Sequence, residues 1–428
     1  MTANWEVRLD QHWRPILGAI LLVALALRLL WVLVWHPVVT LEGGDGPFYI
    51  ALAQSLLSAG GLAVNGVPIL TAGPLYPLFL AGFMVAVPGE GWLLAARLGD
   101  VGVAVGSVAL LFAVAAQVFG RPAGLIAAGW LAIDGRFIAE TGQIQTEGLF
   151  IFLVLLFTAV YLWAVRQPHP AWLLLAAPLL GLATLTRAIG AVLVVAAIHI
   201  VLMRDWRAVL TRLLWFGLPF VLVLTPWLVR NYQVTGRITI GEGLAGNFWL
   251  GTVVGQWEGN AAFNEAIAAL PRDPDCPICN PPTEVYIRFA LEYIAAHPSE
   301  YAGLMARKLV RAYIQPAGTV VIGGPSLREM VFSGDVGQAF SQCEFWPKLW
   351  MYIGHFGSLV LAGVAVGRQR GHWRGWLVLA VMIATVSGAY WVLTIIPRYL
   401  YPIMPLYIAL ASGALVQPVA SQTHQTLA

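Results

Sequence analysis

Residues 16–35 read ILGAILLVALALRLLWVLVW, a run of twenty positions in which Arg28 is the only charge. The length equals the ~20 apolar residues that cross a bilayer as a helix. In hydrocarbon the backbone finds no partner outside its own segment, so such a run must bond to itself. It is longer than the ~7–15 residues of a signal-peptide core, and Val38–Thr40 offers a poor cleavage site, so the run is expected to stay as a first span. Comparable blocks recur at Gly102–Phe119, Leu149–Val165, Leu213–Val229 and Leu349–Val366.

Composition agrees. The chain of 428 residues is 59% hydrophobic and 11% charged, against roughly 25% charged in an average soluble domain. The fold class expected is therefore an all-α polytopic membrane protein. A net charge of +3 spread along the chain gives no electrostatic basis for binding nucleic acid, and the lipid bilayer is the first partner implied.

Lys and Arg in short loops mark the cytoplasmic side. Arg8 and Arg14, Arg121, Arg166, the group Arg204, Arg207 and Arg212, and the group Arg368, Arg370 and Arg374 all fall on that side for one set of spans. These are Ile16–Trp35, Leu93–Phe119, Pro122–Phe137, Gly148–Val165, Ala171–Thr186, Ala188–Met203, Leu213–Val229, Trp346–Val366, Trp376–Ile395 and Tyr399–Val416. About ten spans result, with both ends inside. Two stretches then face outward, Pro37–Trp92 and Asn231–Phe345. In the first, Phe48–Ser58 is expected as a surface helix and the short apolar Pro74–Val87 as a re-entrant or surface-lying helix, with an ordinary short span as the alternative. In the second, Thr283–Tyr313 is expected to form one helix. The organisation expected is a transmembrane catalytic part over 1–230 with its first outer loop at 37–92, a small outer subdomain over 231–345, and closing helices over 346–428. No inverted repeat of the transporter kind is visible.

Asp45, Arg136, Glu140, Glu147, Arg187, Arg230, Arg237 and Arg398 remain at the outer ends of spans. Charge at such depth is costly and by default lines a polar cavity, although a single arginine there also serves as an interface anchor. Guanidinium groups suit phosphate because they are always charged and bind its oxygens in pairs. A carboxylate beside them can take a proton from an attacking hydroxyl while they stabilise charge on a departing phosphate. Arg97 and Asp100, one turn apart, most simply pair with each other. Cys276 and Cys279, with Cys343, have the look of a disulfide set in an oxidising compartment rather than of half a zinc site.

The order of these features resembles the membrane-embedded GT-C glycosyltransferases, in the branch of protein O-mannosyltransferases and the aminoarabinose transferase of lipid A. The residues that carry the resemblance are Glu42-Gly-Gly-Asp45-Gly-Pro-Phe-Tyr49 after the first span, Ala72-Gly-Pro-Leu-Tyr76-Pro77, Gly120-Arg121, Thr146-Glu147 and Leu185-Thr-Arg187. Thr225-Pro-Trp227-Leu-Val-Arg230-Asn231-Tyr232, then Thr235-Gly-Arg237, Gly246-Asn247 and Pro397-Arg398-Tyr399-Leu-Tyr401-Pro402 continue it. The branch often carries Asp-Glu in the first loop, where here Gly46 follows Asp45 and a second carboxylate would come from Glu42.

The resemblance implies a multi-pass protein of the inner membrane with its active site toward the periplasm. It implies a polyprenyl-phosphate-linked sugar donor and a protein, lipid or glycan acceptor, with inversion at the anomeric carbon. Asp45 would be the base and Glu147 a second catalytic group, with Asp45 capping its own helix as the structural alternative. Arg187, Arg230 and Arg398 would hold phosphate, with Tyr49, Tyr76, Asn247, Glu42, Arg136 and Glu140 as further substrate contacts. The resemblance fixes no cofactor; magnesium or manganese between Asp45 and Glu147 is an open option. The rival reading is a transporter or flippase of polyprenyl-linked lipids or solutes.

Overall fold

A computed structural model describes residues 4–38, 45–197, 206–241, 243–254, 283–316, 322–332, 340, 343–394 and 397–419. Glu42, Cys276 and Cys279 lie outside them. Among the described residues the chain is helical apart from one two-stranded hairpin, Ala63–Val64 paired antiparallel with Val67–Pro68.

Six helices are long and apolar enough to cross a membrane: Trp13–Trp35, Trp92–Phe119, Glu147–Ala164, Trp206–Thr235, Phe345–Arg368 and Arg370–Val392. The protein is thus a multi-pass membrane protein. The other four expected spans are shorter or broken, for visible reasons. Arg121–Ile133 ends where Asp134 turns extended and accepts the Arg136 N–H to start a one-turn helix, Gly135–Ala139. Leu173–Thr186 carries Pro178, and the next segment, Ala188–Ala197, is 3-10 helix. The last expected span divides into Pro397–Leu400, a 3-10 turn at Tyr401–Ile403 and Met404–Ala414, since Pro402 and Pro405 each remove an N–H donor from a continuing helix. The single helix expected over 283–313 is two, Thr283–Ala296 and Pro298–Ile314, because the residue before a proline avoids helical geometry. Helices are present at both places in the first outer stretch where they are expected, as Gly46–Ala59 and Leu75–Ala86.

Trp92–Phe119 packs along Arg121–Ile133 and Glu147–Ala164; the latter packs on Leu173–Thr186, which packs on Trp206–Thr235. Met404–Ala414, buried except at Tyr407, packs between Phe345–Arg368, Arg121–Ile133 and Trp92–Phe119. The distant end of the chain is thereby inserted among its first helices. The sole charge of the first span is accommodated within this core. Arg28, 1% exposed, donates to the Ala24, Leu131 and Ala132 carbonyls at 3.0–3.1 Å; the last two are freed because their helix stops at Ile133.

Among the described residues, Arg166, Arg212 and Arg368, expected on the cytoplasmic side, gather at one end of the bundle. Arg166 reaches the Gln117 carbonyl (2.9 Å), Arg212 those of Gln167 (2.9 Å) and Val165 (3.4 Å), and Arg368 that of Ala414 (2.7 Å). Each acceptor lies at or just past a helix C-terminus, where carbonyls lack intrahelical partners and a positive charge is favoured.

Candidate active site

At the opposite end, four residues from four distant segments form one chain of alternating charge. Asp45 stands at the N-terminus of Gly46–Ala59 and Glu147 opens Glu147–Ala164. Arg187 ends Leu173–Thr186 in extended geometry, and Arg398 lies in the turn before the final helix. Arg398 Nη2 sits 2.9 Å from Asp45 Oδ2, and Arg398 Nε sits 2.5 Å from Glu147 Oε1. Arg187 Nη1 lies 2.7 Å from that same oxygen and also donates to Thr146 Oγ1 at 2.9 Å. Glu147 is buried (side chain 2% exposed), whereas Asp45 is open to solvent (53%) and Arg398 is intermediate (29%).

The capping alternative for Asp45 is not what the side chain does: it makes no cap hydrogen bond to its helix and turns to Arg398. Backbone fit sets the position of Arg187. The loop at Gly73 runs so close to the Leu185 and Thr186 carbonyls that a Cβ on Gly73 would collide with them, which brings the first outer loop against the end of the helix that carries Arg187.

Burial works against both guanidinium charges, but Glu147 outweighs it at Arg187, and Glu147 with Asp45 outweighs it at Arg398. Both stay charged, with pKa above the ordinary arginine value. One turn beyond Asp45, burial lifts the Tyr49 hydroxyl to about 12; its ring meets that of Tyr76 edge to face at 5.2 Å. The Arg187 guanidinium lies over Tyr399 at 6.0 Å, and Tyr399 stacks on Tyr390 at 5.0 Å.

Residues 72–229 match the protein family described as dolichyl-phosphate-mannose-protein mannosyltransferase, a segment that contains Glu147 and Arg187. Among solved structures, ArnT from Cupriavidus metallidurans bound to undecaprenyl phosphate is similar over 94% of this chain and 60% of its own, at 13% identity and a TM-score of 0.52. The Archaeoglobus fulgidus oligosaccharyltransferase in the apo form is similar over 96% and 50%, at 17% identity and a TM-score of 0.55. AglB from the same organism, with an inhibitory peptide and a dolichol-phosphate, is similar over 94% and 50%, at 16% and 0.54. The likeness to these structures shows that the chain shares their membrane-embedded helical fold. The chain spans about half to three-fifths of the length of these structures. No curated protein matches it.

Other candidate residues have different surroundings. Arg230 does not join the cluster: it donates to the Ile69 (2.8 Å) and Leu62 (2.9 Å) carbonyls and pins the first outer loop to Trp206–Thr235. Arg136, fully buried, is held by Asp134 at 2.6 Å and by His355 Nδ1 at 3.1 Å, within the core. Arg97 and Asp100 form no ion pair. They converge on one residue of the loop before Glu147: Asp100 accepts the Gly142 N–H at 2.7 Å and Arg97 donates to its carbonyl at 3.1 Å. A buried loop backbone needs both partners, and that need exceeds the attraction of the pair.

Asn247 gives its carbonyl to Thr394 at 2.9 Å, close to the turn that carries Arg398. Glu140 lines a cavity of ≈ 30 Å³ behind Gly148, shared with Arg28, Asp100 and Tyr401. Burial, with the Glu147 charge added, pushes its carboxyl up to about 8. Cys343 is exposed and unbridged among the described residues.

Tyr390 is absent from the sequence reading, and Thr146 and Tyr399 enter it only as neighbours of Glu147 and Arg398 in their motifs. Thr146 had a signal, since it precedes Glu147 at a helix start, while the two tyrosines resemble ordinary interfacial aromatics.

A cation shared by Asp45 and Glu147 does not fit this arrangement. Arg398 occupies the space between the two carboxylates, and among the described residues no three His, Cys, Asp or Glu side chains come together.

Proposed function

We propose that the protein is a glycosyltransferase that moves a sugar from a polyprenyl-phosphate donor to an acceptor hydroxyl of a protein, lipid or glycan. The observation that carries this reading is the Asp45–Arg398–Glu147–Arg187 cluster at one end of a GT-C bundle. Support comes from the mannosyltransferase match over 72–229 and from ArnT and AglB, described as bound to undecaprenyl phosphate and to a dolichol-phosphate.

In this proposal the acceptor oxygen attacks the anomeric carbon from the face opposite the phosphate. The carbon–oxygen bond to phosphate breaks, its electron pair leaves on polyprenyl phosphate, and the configuration inverts. The acceptor proton passes to Asp45, which is solvent-accessible and therefore reachable. Arg398 faces the phosphate and stabilises its growing charge. Glu147, locked between two arginines, positions them, and Tyr49 and Tyr76 form an aromatic wall beside the sugar. Phosphate is a good leaving group, so no acid is needed to expel it.

We place the site on the periplasmic side of the inner membrane, because the basic loops occupy the other end of the bundle.

The test supplies purified protein in vesicles with radiolabelled polyprenyl-phosphate sugars and a membrane extract. Asp45→Asn is expected to lower transfer by about 10²–10⁴-fold while the variant folds and binds donor. Full turnover by the variant removes Asp45 from the mechanism. Label that crosses the vesicle without entering a new glycosidic bond supports transport instead.

A further inference from the structure

The four-residue cluster at Asp45, Glu147, Arg187 and Arg398 is balanced. Two guanidinium groups face two carboxylates, with both arginines already engaged, so an incoming phosphate finds no unmatched positive charge. It gains a full partner only if one carboxylate lets go, and the two are not equally able to. Glu147 is buried and held by both arginines; stripping a buried carboxylate of a partner is costly. Asp45 is half exposed, and among the described residues Arg398 is its only ion-pair partner. Water can solvate it at once on release, and a pair this open contributes little. Arg398 would meanwhile stay anchored, because its Nε remains on Glu147 when Nη2 turns away.

Resting on the glycosyl-transfer reading, we propose that Arg398 is an exchange contact. In the free protein its Nη2 engages Asp45, and the donor phosphate displaces that carboxylate, so that the base is released only when the donor is in place. The acceptor then has a free Asp45 oxygen to receive its proton. After transfer the leaving lipid is a phosphate monoester carrying more charge than the donor diester. Once Asp45, open to solvent, has passed the acceptor proton to water, its carboxylate returns to Arg398, competes with that product and aids its departure. The consequences are an ordered mechanism, donor before acceptor, and protection of a waiting donor-free site from acting as a base.

The distinguishing quantity is affinity for phosphate lipid, measured with undecaprenyl phosphate on the full chain in nanodiscs by tryptophan fluorescence. If Asp45 competes for Arg398, Asp45→Asn binds about two- to fivefold more tightly than wild type, the worth of a partly exposed pair. Arg398→Gln binds at least about tenfold more weakly, on the scale of a lost charged contact. In the double variant the gain from Asp45→Asn vanishes, because nothing remains to be freed. A gain that persists without Arg398 is plain charge repulsion and overturns the exchange; unchanged or weaker binding by Asp45→Asn does so too. Asp45→Ser, compared in parallel, excludes an effect peculiar to the asparagine amide. Binding that is saturable and lost in Arg398→Gln, but indifferent to Asp45, sinks the exchange and leaves glycosyl transfer standing. Absence of saturable binding by wild type sinks both.

Discussion

Where Arg166, Arg212 and Arg368 sit, guanidinium groups donate to carbonyl oxygens at helix C-termini; at the far end of the same bundle Arg187 and Arg398 face carboxylates. A carbonyl is neutral and fixed, so an arginine against it completes a helix end and has nothing further to exchange. A carboxylate carries charge that another anion can replace or a proton can cancel, so an arginine against it belongs to a system that can change state. Arg28, Arg97 and Arg230 share the first pattern, including at sites where their position alone suggests the second.

Substitution separates the two kinds. The largest effect is expected at Arg398: Arg398→Gln is to lower kcat/KM per folded molecule by about 10²–10³-fold, the scale of one lost donor to a developing charge, beside the stability that buried Glu147 loses with one of its two arginines. Equal activity in steady-state assays would move Arg398 to the structural group. Arg187→Gln leaves buried Glu147 with one arginine in place of two, and a loss of about 3 kcal/mol in stability is expected, read as a fall in detergent-solubilised Tm.

Glu140→Gln tests the cavity behind the cluster through pH. The folded-state carboxyl is raised to about 8 from an ordinary 4.5, so between those values the unfolded chain gives up its proton while the native protein retains it. Wild-type stability therefore falls as pH rises through that window and levels off above it. The variant is expected to melt with wild type near pH 5 and a few degrees above it at pH 8. Parallel curves would show that Glu140 ionises normally. The smallest effect is assigned to the carbonyl-facing group: Arg212→Ala is to cost about 1–2 kcal/mol of stability with turnover per folded molecule unchanged. A drop in turnover at constant stability would break the contrast between the two ends of the bundle.

Much of this was legible before any coordinates. Twenty-residue apolar runs decide the class, because hydrocarbon permits the backbone only one solution, and Asp45, Glu147, Arg187 and Arg398 stand out as charges at span ends. That these four meet was not deducible, since contact between residues 45 and 398 depends on how Met404–Ala414 packs between helices made much earlier. Arg230 and Arg136 show the other limit. Their positions match those of the cluster arginines; Arg230 is told apart by the carbonyls it faces, and Arg136, which also faces a carboxylate, by its full burial in the core with Asp134 and His355. Proline sets a third limit: Pro298, Pro402 and Pro405 divide segments whose hydropathy reads as continuous.

The insertion of Met404–Ala414 among the first helices fixes a timetable for biogenesis. Asp45, Glu147 and Arg187 leave the ribosome long before Arg398, so the four-residue cluster cannot be complete until the final helix has packed.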